Sequence, residues 1–320
     1  MAARFWTFVF GWHTVLALSL AWLWGRLTGT PAALFLLEAL LAWWLLLAIG
    51  EGSSFALAHH YRPPRSVRPQ RSGRVWRRSQ AVGSELLYFA AAWVAMICAP
   101  YVRQRAPAAL IGAPAAQRAR SGTATPVLLI HGYSCNAAIW TPLRRRLDAA
   151  AIGPVAALDL EPLGADLDSY LPGLVRAQQM LEQLTGREPV TLIGHSSGGL
   201  LARALLLRIE SRRIRQLITL ATPHHGTELA RCVTGRQATQ LRPGSPWLRA
   251  LNAAQDGALP VPTVCIYSLD DNIVSPAESA ALRGAQRLEL EGFGHFGVLH
   301  ARAALDLIEV SLCSSIGWAR

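Results

Sequence analysis

Residues 191–200 read TLIGHSSGGL. An apolar run leads straight into Gly194-His195-Ser196-Ser197-Gly198, the G-x-S-x-G spacing that places a serine on a sharp turn between a strand and a helix. The pentapeptide alone decides nothing, because glycine and serine recur by chance. Its context decides. The reading needs a strand before, a helix after, and an acid and a histidine later in the chain.

The flanking sequence alternates in the required way. PVLLIHG (126–132), VAALDL (155–160), PVTLIGH (189–195), IRQLITLAT (214–222), VPTVCIYS (261–268) and AQRLELEG (285–292) read as strands. Between them NAAIWTPLRRRLDAA (136–150), LDSYLPGLVRAQQMLEQLTG (167–186) and SSGGLLARALLLRIE (196–210) carry helical spacing, with further helices expected near 276–283 and 297–310. Such alternation predicts an α/β domain over 121–320, a mostly parallel, six-stranded sheet covered on both faces. Residues just beyond strand C-termini converge on one crevice in such sheets. Ser196 follows the third strand, Asp270 and Asp271 the fifth, His295 the sixth, and His131 to Tyr133 the first. The order Ser, Asp, His is the one that accompanies the strand–Ser–helix elbow.

With these blocks in place, the domain resembles the bacterial lipase/esterase branch of the α/β-hydrolase family across nearly all of residues 124–312. The matching stretches are VLLIHGY, LIGHSSGGLLAR, TLATPHHGTELA, YSLDDNIVSP and GFGHFGVLH, in order. The chain departs from larger members by entering the HG strand almost at once, so the first two strands usual there are missing and a small sheet is expected.

A serine hydroxyl needs a base to become a nucleophile at neutral pH. Ser196 is the expected nucleophile and His295 the base that later protonates the leaving group. A carboxylate would hold the imidazole in one tautomer and stabilise its charged form. The resemblance favours Asp271 over Asp270, since the acid there stands three residues before a valine, here Val274. The N–H groups of Tyr133 and Ser197 are the expected oxyanion donors, with Gly132, Gly194 and Gly198 permitting tight backbone and His131 bracing the oxyanion loop. His195 occupies an x position of the elbow, a packing role. His300 is the weaker candidate for the base. Adjacent His224 and His225 do not make a metal site, for zinc needs three or four convergent ligands. No metal and no cofactor are called for.

All 31 basic residues are arginine, so a lysine nucleophile or Schiff base is excluded. Residues 1–120 hold 13 Arg against 3 acids, whereas 121–320 hold 18 against 17. The excess charge thus belongs to the N-terminal third, and the folded domain lacks the basic balance of a nucleic-acid binder. The cysteines at 98, 135, 232, 265 and 313 show neither C-x-x-C nor metal spacing and read as small buried thiols.

That N-terminal third reads as a membrane anchor. Residues 5–24 and 32–49 are apolar stretches long enough to cross a bilayer, interrupted only by Glu38, and form a helical hairpin over 1–50. Glu38 lies near a helix end, where it snorkels towards headgroups. The Arg-rich linker 51–83, with its Pro, Gly and Ser content, argues against helix and stays cytoplasmic by the positive-inside rule. LLYFAAAWVAMICAPYV (86–102), within the segment 84–120, is either a third span or an interfacial helix. The first puts the domain outside, the second on the cytoplasmic face, and Arg103, Arg105, Arg118 and Arg120 lean to the latter. Since every strand lies within 124–312, the sheet is expected to close without the hairpin.

The expected protein is a membrane-anchored serine ester hydrolase acting on an acyl ester or lipid, with the insertion 224–259 as a lid or pocket wall. An acyltransferase using the same triad is the alternative within enzymes, and a non-catalytic membrane scaffold with a vestigial hydrolase fold the alternative outside them. Oligomeric state is beyond the sequence.

Overall fold

The six strand-like runs after residue 125 become one sheet. In the computed structural model, which describes residues 2–31, 34–61, 74–103, 125–255 and 259–314, they are β1 (Val127–Ile130), β2 (Val155–Ala157), β3 (Val190–His195), β4 (Ile214–Leu220), β5 (Thr263–Ser268) and β6 (Gln286–Leu290). Their order is β2-β1-β3-β4-β5-β6, and every pairing is parallel. Central strands β1, β3 and β5 are buried along their whole length, which is why they read as unbroken apolar runs. Edge strand β6 has no buried residue and carries Gln286, Arg287 and Glu289 to solvent.

Side chains alternate across a strand, so each face gathers its own core. Leu128, Ile130, Leu192 and Leu217 pack against α5 (Leu171–Leu184), α6 (Ser197–Leu206) and α8 (Pro246–Ala253). On the other face, Val127, Leu129, Ile193 and Ile218 meet α4 (Thr141–Ala149) and α10 (Arg302–Ser314). Besides Leu47, the same layer takes in Ala92, Trp93 and Met96 from far upstream.

Those residues belong to α3 (Arg74–Arg103), which follows α1 (Ala2–Thr28) and α2 (Phe35–His60). All three helices are long and apolar enough to cross a membrane. Trp93 stands at their junction, its ring 5.2 Å from Trp6, 6.2 Å from Phe10 and 6.5 Å from Trp43. One side of α3 therefore faces the hairpin and another faces the sheet.

Two sequence expectations change here. Residues 51–60 continue α2, and residues 74–80 open α3. Both were expected in a non-helical linker. The prolines at 63, 64 and 69 fall between the two helices, and the glycines at 50, 52 and 83 weaken a helix without ending it. The linker arginines at 62, 65, 68 and 71, and those at 105, 118 and 120, lie outside the described residues. The helix expected at 276–283 is a single 3-10 turn, Ala277–Ala280. Pro276 and Gly284, at φ 82°, bound too few residues to nucleate more. The helix expected at 297–310 breaks at extended Ala301 into α9 (Gly297–His300) and α10.

The insertion after β4 carries α7 (Arg236–Gln240) and α8. Ala230, Leu241, Leu248 and Leu251 are buried in the core, and Thr227 Oγ1 donates to Ile273 O at 2.5 Å. Its described part is packed wall.

The elbow sets a steep test of this packing. A Cβ at Gly198 would lie 2.1 Å from Ile130 O and 2.6 Å from His131 O, both backbone atoms that cannot rotate away. A Cβ at Gly173, in the first turn of α5, would meet nothing closer than the tip of Arg176 at 3.9 Å. Gly198→Ala should destabilise the protein by about 3 kcal/mol or more. Gly173→Ala should be neutral or stabilise by about 0.5 kcal/mol. Thermal melts of the two variants check this.

Candidate active site

β3 ends at His195, and α6 begins at Ser197. Ser196 alone makes the turn, with φ 54° and ψ −129°, a conformation that costs an L-residue about 1–3 kcal/mol. It is held there because its N–H donates to Leu220 O at 2.8 Å and its C=O accepts from Gly199 at 3.1 Å. Close approach makes the turn possible. A Cβ on Gly194 would fall 2.5 Å from Gly199 Cα, and one on Gly132 would fall 2.7 Å from Ser196 Cβ.

The loop after β1 therefore lies against the serine. His131 braces it as expected of a buried ring. Leu160 N–H donates to His131 Nε2 at 3.0 Å, which leaves the proton on Nδ1, 2.9 Å from Gly132 O. Beyond Tyr133 the chain turns back, Cys135 N–H reaching Gly132 O at 3.4 Å. Ser197 opens α6, so its N–H is among the donors a helix leaves unsatisfied at its start.

Asp271 and Asp270 point to different partners. Asp271 Oδ2 accepts from His295 Nδ1 at 3.0 Å, and its Oδ1 accepts from Ile273 and Val274 N–H, both at 2.8 Å. A carboxylate can only accept here, so Nδ1 carries the proton and Nε2 is free to take one. Asp270 Oδ2 instead accepts from Gly292 N–H at 2.9 Å and tethers the next loop. Among the described hydrogen bonds none joins Ser196 Oγ to His295 Nε2. In resting hydrolases this contact is commonly long and tightens when substrate binds.

Burial disfavours a charge on His295, but Asp271, Glu85 and Glu51 outweigh it, and the proton affinity ends above that of an ordinary imidazole. Neighbouring His195, its ring centroid 4.7 Å away, is held well below the ordinary range by burial and by His295. Two adjacent imidazoles thus have opposite preferences, and His195 is packing.

The other histidines sit elsewhere. His224 is buried among Arg203, Thr219 and Cys265. His300 stacks on Tyr88 of α3 at 5.0 Å. Burial pushes the Cys135 thiol up to about 12, far from a reactive thiolate.

Four residues that the sequence reading passed over also meet these loops. Asn272 Oδ1 accepts from His295 N–H at 2.9 Å. Its Nδ2 donates to Glu51 Oε2 at 3.0 Å and to Ser54 Oγ at 2.7 Å, both on α2. Glu85 of α3 accepts from Phe296 N–H at 2.7 Å and from Gly297 N–H at 2.8 Å. The Trp6 indole of α1 donates to Ser134 O, beside Tyr133. A signal for the two glutamates existed. Glu38, Glu51 and Glu85 are all the acids of the first 120 residues, and an acid in an apolar helix is a functional candidate. Glu38, taken alone, lies beside Gly25 at the far end of the hairpin.

Comparison with known proteins agrees with this fold. The palmitoyl protein thioesterase family model matches residues 126–256, which takes in Ser196 and the oxyanion loop and stops before Asp271 and His295. The mature lipase BlEst2 of Bacillus licheniformis is similar in fold, with 18% identity and TM-score 0.52 over 59% of this chain and 92% of that one. Lipase B of Aspergillus fumigatus is similar at 22% identity and TM-score 0.54, over 59% of this chain and 52% of that one. No curated protein matches the chain.

The loop geometry separates the two aspartates experimentally. Asp271→Asn should lower kcat on a soluble p-nitrophenyl ester by about 10³- to 10⁴-fold, because the amide no longer favours the required tautomer. Asp270→Asn keeps one acceptor for Gly292 and should lose less than about tenfold. Wild-type kcat/KM should rise with pH through a midpoint above the ordinary imidazole range, since His295 must be neutral to accept the serine proton. Steady-state kinetics across pH check all three.

Proposed function

We propose that this chain, a hydrolase of the lipase, esterase and thioesterase kind built on the α/β-hydrolase fold, is a membrane-anchored serine enzyme that cleaves acyl esters through an acyl-enzyme. The observation that carries this reading is Ser196 at φ 54°, alone between β3 and α6 and pressed against Gly132.

In the proposed cycle His295 Nε2 takes the Ser196 proton as Oγ attacks the acyl carbonyl carbon. The carbonyl oxygen becomes an oxyanion facing the Tyr133 and Ser197 N–H groups, donors already oriented before charge develops. Collapse breaks the bond to the alcohol, which leaves with the proton from His295. Water then loses a proton to the same Nε2 and attacks the acyl-enzyme, releasing the carboxylic acid and returning the proton to Ser196. Asp271 steadies the imidazolium at each step. Transfer of the acyl group to a second alcohol would use the same steps, with that alcohol in place of water.

A thioester substrate is the second reading, favoured by the match to the thioesterase family model over the nucleophile's half of the domain. Attack and oxyanion are the same for both, and only the leaving atom differs.

We infer further that the domain lies on the cytoplasmic face, with α1 and α2 as the spans and α3 along the interface. Trp6 near the start of α1 and Glu51, Ser54 and Ala58 near the end of α2 all meet the domain, so one end of the hairpin carries it. Glu85 and the Met96 carbonyl, about 16 Å apart along a helix, both bond to it as well. A helix tied to one domain at both places runs along that domain. A lipid substrate would then reach the crevice from the adjoining leaflet.

Ser196→Ala in the full-length protein should lose turnover on the order of 10³-fold or more and lose labelling by a fluorophosphonate probe, with its melting temperature retained. Parallel assays on an oxyester and a thioester of the same acyl chain rank the two substrate classes. Full turnover by Ser196→Ala would end the reading.

A further inference from the structure

The crevice as described leaves two acids unused, one buried and one half-buried. Glu85 is fully buried, and neither it nor Glu51 has a guanidinium partner among the described residues. Taking a carboxylate out of water is costly unless hydrogen bonds and opposite charge offset it. The partners present are unusual in kind. Glu85 is met by two consecutive backbone N–H groups immediately after His295, and Glu51 by the amide of Asn272, which in turn receives the His295 N–H. Gly294 is shaped to this contact, for a Cβ there would come within 2.5 Å of the Glu85 carboxyl. The His295 loop is thus held directly by Glu85 of α3 and, through Asn272, by Glu51 of α2.

We propose that Glu85 and Glu51 are positioning residues for His295: carboxyl groups carried on the apolar N-terminal helices that fix the loop and the place of the base. The inference rests on the serine-hydrolase reading above. It makes the helices part of the active site, so that the domain is competent when docked on its anchor. The groups facing His295 are Asp271 from the loop after β5, Glu51 from α2, Glu85 from α3 and neutral His195 from β3. Replacing either glutamate by glutamine keeps the volume, removes the charge and, at position 85, sets an amide donor against a backbone donor.

The test uses the full chain in detergent micelles, with a soluble short-chain ester, comparing wild type with Glu85→Gln, Glu51→Gln and Ser196→Ala. Both glutamine variants should keep KM within about twofold, while kcat falls about 10- to 100-fold for Glu85→Gln, the scale of a small misplacement of a reacting group. A purely structural role would loosen the whole crevice and raise KM as kcat falls. Wild-type kcat in Glu85→Gln overturns the proposal, and so does a rise in KM that matches the fall in kcat. If Glu85→Gln does not fold, Glu51→Gln decides, a wild-type kcat there overturning the proposal, since that side chain bonds only to other side chains at the catalytic loops. Failure of the underlying reading looks different: Ser196→Ala would then match wild type.

Discussion

Two backbone N–H groups, those of Phe296 and Gly297, end on the carboxylate of Glu85. This contact joins the His295 loop to a helix some two hundred residues upstream, and much of the molecule is arranged around it. Hydrogen bonds of this kind contribute about 0.5–1.5 kcal/mol each, and two on one carboxyl are enough to set the path of a short loop. The same helix supplies Ala92, Trp93 and Met96 to the core beneath the sheet. Its other side meets the Trp6–Phe10–Trp43 cluster of the hairpin. A shift of α3 would move the His295 loop and open the core together.

Ser196 is fixed by a different means. Ser196 is strained by about 1–3 kcal/mol, and the strain persists because Gly132, Gly194 and Gly198 let three backbone segments touch where any Cβ would collide. No flexible side chain mediates these contacts, so the elbow is defined by its own sequence. The acid is intermediate, with Ile273 and Val274 closing on Asp271 locally while Asn272 ties the same loop to α2. The crevice is thus fixed by its own sequence at Ser196 and tied to the N-terminal helices at His295.

That division explains what the sequence could reveal. The sheet, its order of chemistry-bearing loops and the elbow were legible because each follows from short patterns: apolar runs of strand length and glycines at fixed offsets. The choice of Asp271 over Asp270 agrees with which of the two faces His295. The contribution of Glu51, Glu85 and Trp6 was not legible, since each acts across more than a hundred residues with no local signature beyond an acid or indole in an apolar helix. The linker was misread for a related reason. Its composition suggested coil, but helix ends are set by where proline stands and by tertiary packing such as Ala58 against Ser275.

Hydrogen exchange of the full-length protein in a membrane mimic tests the central contact most directly. If Glu85 holds the His295 loop, the Phe296 and Gly297 amides should exchange as slowly as those of the buried strand β3, although they stand at the start of α9, where a helix leaves its N–H groups without backbone partners. Exchange of these two amides at the rate of an exposed loop, with β3 still protected, would contradict the account.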